Sequence, residues 1–142
     1  MRSRAARTES GPAAGVRVAQ WDAMDRSQVQ SWIGGYERAW RTPGTETLAA
    51  LFTPDASYLP GPYREPVVGL PDIGEMWEAE RAGPAEEFDM TSEIVAVDGD
   101  VAVARLEVRY GTGEEFRDLW IMTFAGDGRC AAFEEWPYSP PN

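Results

Sequence analysis

Apolar positions along the chain follow one spacing in its first half and another in its second. From Ser27 to Trp40, the residues Val29, Trp32, Ile33, Tyr36, Ala39 and Trp40 recur every three or four positions, which gathers them into one stripe on a helix. The spacing predicts a helix over 27–40, with Ser27 as its N-cap, Gly34-Gly35 allowing close packing against a neighbour, and Pro43-Gly44 as its end. Thr45 reads as the cap of a second helix whose inner face includes Leu48 and Leu51. Residues 52–56 read as a turn into a short strand over 57–59, followed by a Gly/Pro-rich loop over 60–66. Pro71 and Asp72 suit the first turn of a third helix. On it Ile73, Met76, Trp77 and Glu80 share a face, and Gly83-Pro84 ends it.

Beyond that point the period becomes two, the signature of strands. Four strands are predicted, over 88–97, 101–110, 115–124 and 130–136. They are joined by Asp98-Gly99-Asp100, Gly111-Thr112-Gly113 and Gly126-Asp127-Gly128, each good hairpin chemistry. Helices first and an antiparallel meander afterwards is an α+β order. Residues 1–20 lack periodicity and read as a flexible tail, leaving one domain over 21–142.

Strand residues alternate between faces. One face of 115–124 carries Phe116, Asp118, Trp120, Met122 and Phe124; the other carries Arg117, Leu119, Ile121 and Thr123. An aspartate set between Phe116 and Trp120 is poorly solvated if that face is the inner one, and burial raises a carboxyl pKa toward the range useful in acid–base catalysis.

Charge and composition then remove function classes. A net charge of −11 leaves no basic stripe for nucleic acid and disfavours anionic lipid. No run is apolar enough for a membrane span or a secretory signal, so the expected location is the cytoplasm. The chain has no His and no Lys; all 13 basic residues are Arg. That removes His-based triads, His-ligated metal sites and Schiff-base lysines. Acid–base work is left to Asp, Glu, Tyr, Cys130 or water, and no metal or cofactor is expected. Cys130, which opens an apolar run, reads as a buried and inert thiol.

Two stretches resemble a known family. "YERAW…LAALFTPDASYLPGPYREPVVGLPDIGEMW" and "RDLWIMTFAGDGRCAAFEEW" are similar, in order and spacing, to the opening half and closing hairpin of nuclear transport factor 2-like proteins of the SnoaL-like type. The resemblance spans residues 28–137. It implies a cystatin-like α+β barrel: a cone-shaped, curved antiparallel sheet packed on three N-terminal helices, with a pocket at the wide end. It also places Trp120 on the inner face. By parity Asp118, Ala102, Ala104, Leu106 and Val108 then point inward, as do Phe133 and Glu135, unless a one-residue bulge exchanges Glu135 for Glu134.

The relatives fit unequally. In the resemblance to ketosteroid isomerase, the oxyanion-hole tyrosine falls on Tyr36, the general base on Pro60, which takes no proton, and the second oxyanion donor on Trp120. Scytalone dehydratase needs histidines. Limonene epoxide hydrolase needs an Asp-Arg-Asp set, and parity turns Arg105 away. The SnoaL-like cyclases, which use a cavity aspartate and no metal, fit best. The expectation is a small-molecule pocket protein: a cofactor-free isomerase, cyclase or dehydratase using Asp118 with Tyr36 or Glu135. Trp40, Tyr58, Trp77, Phe116, Trp120 and Met122 would hold a hydrophobic or aromatic ligand. A non-catalytic ligand-binding domain and a protein-interaction domain are the alternatives. Arg64-Glu65 is placed at the pocket mouth, and Glu78, Glu80, Glu86 and Glu87 on a wet face. The outward set Val101, Val103, Leu119, Ile121 and Trp136, with Arg105, Glu107, Arg109 and Glu134 among them, predicts a homodimer through the outer face of the sheet. The competing expectation is that Val16, Val18 and Trp21 of the tail cover that face.

Overall fold

The computed structural model describes residues 24–81 and 87–141; the expected tail and the expected helix stop at Gly83-Pro84 lie outside them. Helix α1 (Arg26–Arg41) buries Val29, Trp32, Ile33, Tyr36 and Ala39, the predicted stripe. Its cap is Asp25 rather than Ser27. Asp25 Oδ1 accepts from the Gln28 backbone N–H at 2.8 Å, and Gln28 Oε1 accepts from the Asp25 N–H at 2.9 Å. This reciprocal box needs a Gln or Glu three residues after the cap; Ser27 has one too, Gln30, but the Gln30 amide donates instead to Ser92 Oγ at 3.1 Å. A Cβ on Gly35 would lie 3.1 Å from Leu51 Cδ2, so glycine there permits the close approach of the next helix.

Helix α2 (Leu48–Leu51) is one turn, with Thr47 rather than Thr45 at its cap and no side-chain capping bond. It stops because Phe52 already belongs to the sheet. Strand β1 (Phe52–Leu59) includes the residues expected to form a turn. Pro54 is tolerated because the pairing is irregular between Phe52 and Ser57, and Pro needs such a gap. Strand β2 (Val67–Val68), which the loop pattern did not suggest, pairs with Ser57 and Tyr58. Helix α3 (Leu70–Glu80) starts from Gly69, whose φ of 92° favours glycine. Its inner face is Ile73, Gly74 and Trp77; Met76 is half-buried and Glu80 exposed, so the predicted stripe is rotated toward Gly74.

Strands β3 (Phe88–Asp98), β4 (Val101–Tyr110), β5 (Glu115–Phe124) and β6 (Cys130–Tyr138) form the meander. The six-stranded order is β2-β1-β6-β5-β4-β3. All pairs are antiparallel except β1–β6, which is parallel, so the sheet is mixed rather than wholly antiparallel. The long chain between β1 and β6 supplies the crossover that a parallel pair requires. Register slips at Val95 in β3 and Ala131 in β6 bend the sheet, as bulges do. The second lies before Phe133, so pairing runs unbroken from Phe133 to Tyr138. Glu135 therefore keeps the inner parity of Phe133, and Glu134 faces out with Trp136.

The sheet's concave face closes on α1 around an aromatic cluster. Trp32 meets Phe52, Phe124 and Phe133 with ring centroids 5.6–5.9 Å apart, and its indole N–H donates to Leu51 O at 2.9 Å. Burial of one such ring is worth about 3–5 kcal/mol against alanine, so this end of the cone is plugged. Among the described residues no helix is long and apolar enough to cross a membrane.

Candidate functional site

Opposite the plug, the sheet and the helices leave a cavity of about 370 Å³. Its floor is set by register. On β5 and β6, Trp120 stands opposite Glu135 and Asp118 opposite Pro137, so both carboxyls share the concave face and lie within hydrogen-bonding reach of each other. From β1, the Tyr58 hydroxyl donates to Glu135 Oε1 over a long 3.5 Å. From α1, the Tyr36 hydroxyl lies 2.6 Å from that of Tyr58. Either hydroxyl can donate in this short contact. The result is a line from Tyr36 through Tyr58 and Glu135 to Asp118.

Asp118 is 7% exposed, and no arginine forms an ion pair with it among the described residues. Burial pushes its carboxyl above the usual range, partly offset by hydrogen bonding to Glu135 and Trp120. Burial raises Glu135 further, and the neighbouring Asp118 adds to the rise. Two carboxyls this close share one proton, so the pair carries a single negative charge. Burial likewise holds both tyrosine hydroxyls protonated well above their ordinary range. Asp118 Oδ1 and the indole N–H groups of Trp120 and Trp77 are buried with no full hydrogen bond. The Trp120 nitrogen lies close enough to both carboxyls to lower their pKa values, so its shortfall is one of geometry rather than of partners.

The walls are aromatic. Trp40, Tyr58, Trp77, Phe116 and Trp120 all line the cavity. Trp40 meets Trp77, and Tyr36 meets Trp77, with centroids 4.9 Å apart. Met122 does not line it. It is fully buried, one inward position past Trp120 toward the plugged end, and belongs to the core. Phe88 and Tyr110 line the cavity and went unnoticed in the sequence. Tyr110 continues the inward parity of β4, and Phe88 stands opposite it, so extending the alternation by one step would have found both. The rim carries Pro60, Arg64, Glu80 and Glu114; Glu80 thus combines an exposed position with a place at the mouth.

Other candidates fall elsewhere. Arg105 is exposed and pairs with Glu93 at 2.7 Å, so no Asp-Arg-Asp set forms in the cavity. The Cys130 thiol is buried, and burial pushes its pKa up to about 12, which leaves it un-ionised near neutrality. Among the described residues no three His, Cys, Asp or Glu side chains converge to hold a metal ion.

With this geometry in place, comparison with known proteins is informative. A profile of the SnoaL-like domain matches residues 33–133. The chain belongs to the SnoaL-like domain family. No curated protein matches it in sequence. Solved structures share its fold. A protein named as a candidate isomerase of the SnoaL-like family, from Agrobacterium tumefaciens, superposes with a TM-score of 0.65 at 16% identity, covering 79% of this chain and 98% of that one. One named as a candidate ketosteroid isomerase, from Kribbella flavida, gives 0.59 at 22% identity over 82% and 84%. A Mesorhizobium loti NTF2-like protein of unknown function gives 0.61 at 21% identity over 81% and 95%. At these identities the likeness is one of fold, and it fits a family of pocket proteins. This SnoaL-like chain has Pro60 in its cavity wall, the position at which the resemblance to ketosteroid isomerase requires a proton-accepting carboxylate.

Proposed function

We propose that this SnoaL-like protein is a cofactor-independent acid–base enzyme acting on a flat, hydrophobic small molecule, by isomerisation, cyclisation or dehydration. The observation that carries this reading is the carboxyl pair Asp118–Glu135: Asp118 buried and Glu135 half-buried, without an ion pair to arginine among the described residues, and facing an aromatic cavity. A pair sharing one proton can take a proton from one atom of a substrate through Asp118 and return one to another from Glu135, with no metal or histidine. Tyr58, in contact with Tyr36, stabilises the charged form of Glu135. Positioned groups of this kind contribute about 10²–10⁴-fold each to a rate. The base is therefore assigned to β5 and β6, not to Pro60 just past the end of β1.

The test is exchange of carbon-bound protons next to the carbonyl of flat cyclic ketones in D₂O, followed by proton NMR. The wild type should catalyse exchange for ketones that quench its tryptophan fluorescence. Asp118→Asn should lose at least about a hundredfold while still binding them. Exchange untouched by Asp118→Asn would refute the assignment. Binding with no exchange for any ketone would favour the alternative, a ligand-binding domain without catalysis.

A further inference from the structure

The sign of the charge that this cavity is built to hold can be read from its donors and acceptors. A site for an oxyanion keeps hydrogen-bond donors pointed at its ligand. Here one tyrosine proton is committed to the 2.6 Å contact between the Tyr36 and Tyr58 hydroxyls, and the Tyr58 hydroxyl lies 3.5 Å from Glu135 Oε1. The Trp120 N–H sits beside the two carboxyls. The other neutral donors of the lining are the Trp77 N–H, buried and unpartnered, the Trp40 N–H and the Tyr110 hydroxyl. Against them the described lining holds four acids, Glu80, Glu114, Asp118 and Glu135, and a single base, Arg64. Asp118 is 7% exposed, and its Oδ1 makes no full hydrogen bond. The walls around it, formed by Trp40, Trp77, Phe88, Tyr110 and Phe116, present ring faces whose quadrupole is negative and attracts cations.

We propose that the cavity takes an aromatic organic cation, a flat ring system bearing a protonated or quaternary amine whose charge rests against Asp118 and the ring faces. The ligand supplies the counter-charge that no arginine of the described residues provides. Positive charge that develops during a dehydration or cyclisation would be stabilised in the same place. This rests on the reading that Asp118 and Glu135 face the ligand, and it does not require turnover.

The groups that set the pH response are Tyr36 on α1, Tyr58 on β1, Glu80 on α3, Tyr110 on β4, Asp118 on β5, Glu135 on β6, and Arg64 and Glu114 at the rim. Burial holds the Tyr36 and Tyr58 hydroxyls protonated well above their ordinary range, and Asp118 and Glu135 are the cavity carboxyls that burial raises, so the carboxyl pair governs the change. The experiment is calorimetric titration of the full chain with four probes of one shape: 2-naphthylmethylammonium, its N,N,N-trimethyl form, neutral 2-naphthylmethanol and anionic 2-naphthoate. At pH 8 both cations should bind at least about tenfold tighter than the alcohol, with naphthoate weakest. The preference should shrink as pH falls to 5, and should collapse to within about twofold in Asp118→Asn. Equal or tighter binding of the alcohol or of naphthoate, failure of both cations to bind, or a preference unchanged by Asp118→Asn would overturn the proposal. Should that variant fail to fold, a cation preference in the wild type that does not shrink between pH 8 and pH 5 overturns it on its own. Loss of ketone exchange leaves these affinities unaffected, so the proposed function and this inference fail separately.

Discussion

A carboxylate buried without a counter-ion costs stability, and Asp118 and Glu135 tie that cost to pH. Both pKa values are raised by folding, so between the unfolded and the folded values the native state binds more protons than the unfolded chain. Stability contributed by these two groups is then fully present below the unfolded carboxyl pKa and falls as pH rises through the folded values. Each unit of rise corresponds to about 1.4 kcal/mol. The exposed Asp127, whose carboxyl is lowered mainly by the backbone and side chain of Arg129, acts in the opposite sense and at lower pH. The expected outcome is a thermal midpoint that declines in the wild type as pH rises from the unfolded carboxyl range of about 4 toward 8. In Asp118→Asn the decline should flatten, and the midpoint at pH 8 should be no lower than the wild type's. Scanning calorimetry across that range checks it. A lower midpoint in the variant at pH 8 would mark Asp118 as a structural group. The candidacy of Asp118 was legible in the sequence because strand alternation and flanking aromatics fix its environment. Glu135 was legible as a partner only conditionally, because its facing depends on where a bulge falls in β6, and that is set by the pairing of β6 with β5 rather than by the residues of β6 alone.

At the scale of elements, the pocket depends on how α1 and α3 end beside each other, and Arg81 controls that junction. Its side chain is 5% exposed. It donates to the carbonyl oxygens of Thr42 and Gly44 past the end of α1, pairs with Glu78 on α3, and lies over the rings of Trp40 and Trp77 at 5.6 and 5.9 Å. Those two rings are pocket walls, so a fork-shaped cation ties the wall positions of two helices together. Arg81→Met would remove these charge-assisted hydrogen bonds, worth about 1.5–3 kcal/mol, and free the two tryptophans. A destabilisation of about 2 kcal/mol in urea, with altered tryptophan emission, is expected. Arg81→Lys should recover only part of it, because an ammonium cannot reproduce the planar fork. Full recovery by lysine would show that charge alone matters. Periodicity placed α1, α3 and the four long strands to within a residue or two. It misplaced β1 and β2, since Pro54 and the Gly/Pro-rich loop look like turns until a neighbouring strand pairs with what lies between them. It also put the α1 cap on Ser27, although the reciprocal Asp25–Gln28 pattern was available in the residues.

For the whole molecule, the outer face of the sheet poses the remaining question. Val103 stands beside Ile121, Ile121 beside Glu134, and Leu119 beside Trp136, so the central strands carry one continuous apolar strip. Val101, Val103, Leu119, Ile121 and Trp136 are all half-exposed, as expected of residues packed sideways within a sheet but uncovered above. Two of the arginines around them are paired within the chain, Arg105 with Glu93 at 2.7 Å and Arg109 with Glu115 at 3.8 Å, and Glu134 accepts from the Trp136 indole N–H at 2.6 Å. An apolar strip with a polar rim meets its own copy across a two-fold axis, so a homodimer through this face is expected at micromolar concentration. Ile121 lies near the centre, and the symmetry places each substitution in the interface twice. Ile121→Glu should therefore bring unpaired carboxylates together and weaken the dimer by at least about a hundredfold. Its circular dichroism should stay unchanged, because the side chain is on the convex face and touches neither the aromatic plug nor the cavity. Sedimentation velocity of both proteins decides it. A wild type that sediments as a monomer rules the dimer out. A variant that remains dimeric moves the interface elsewhere.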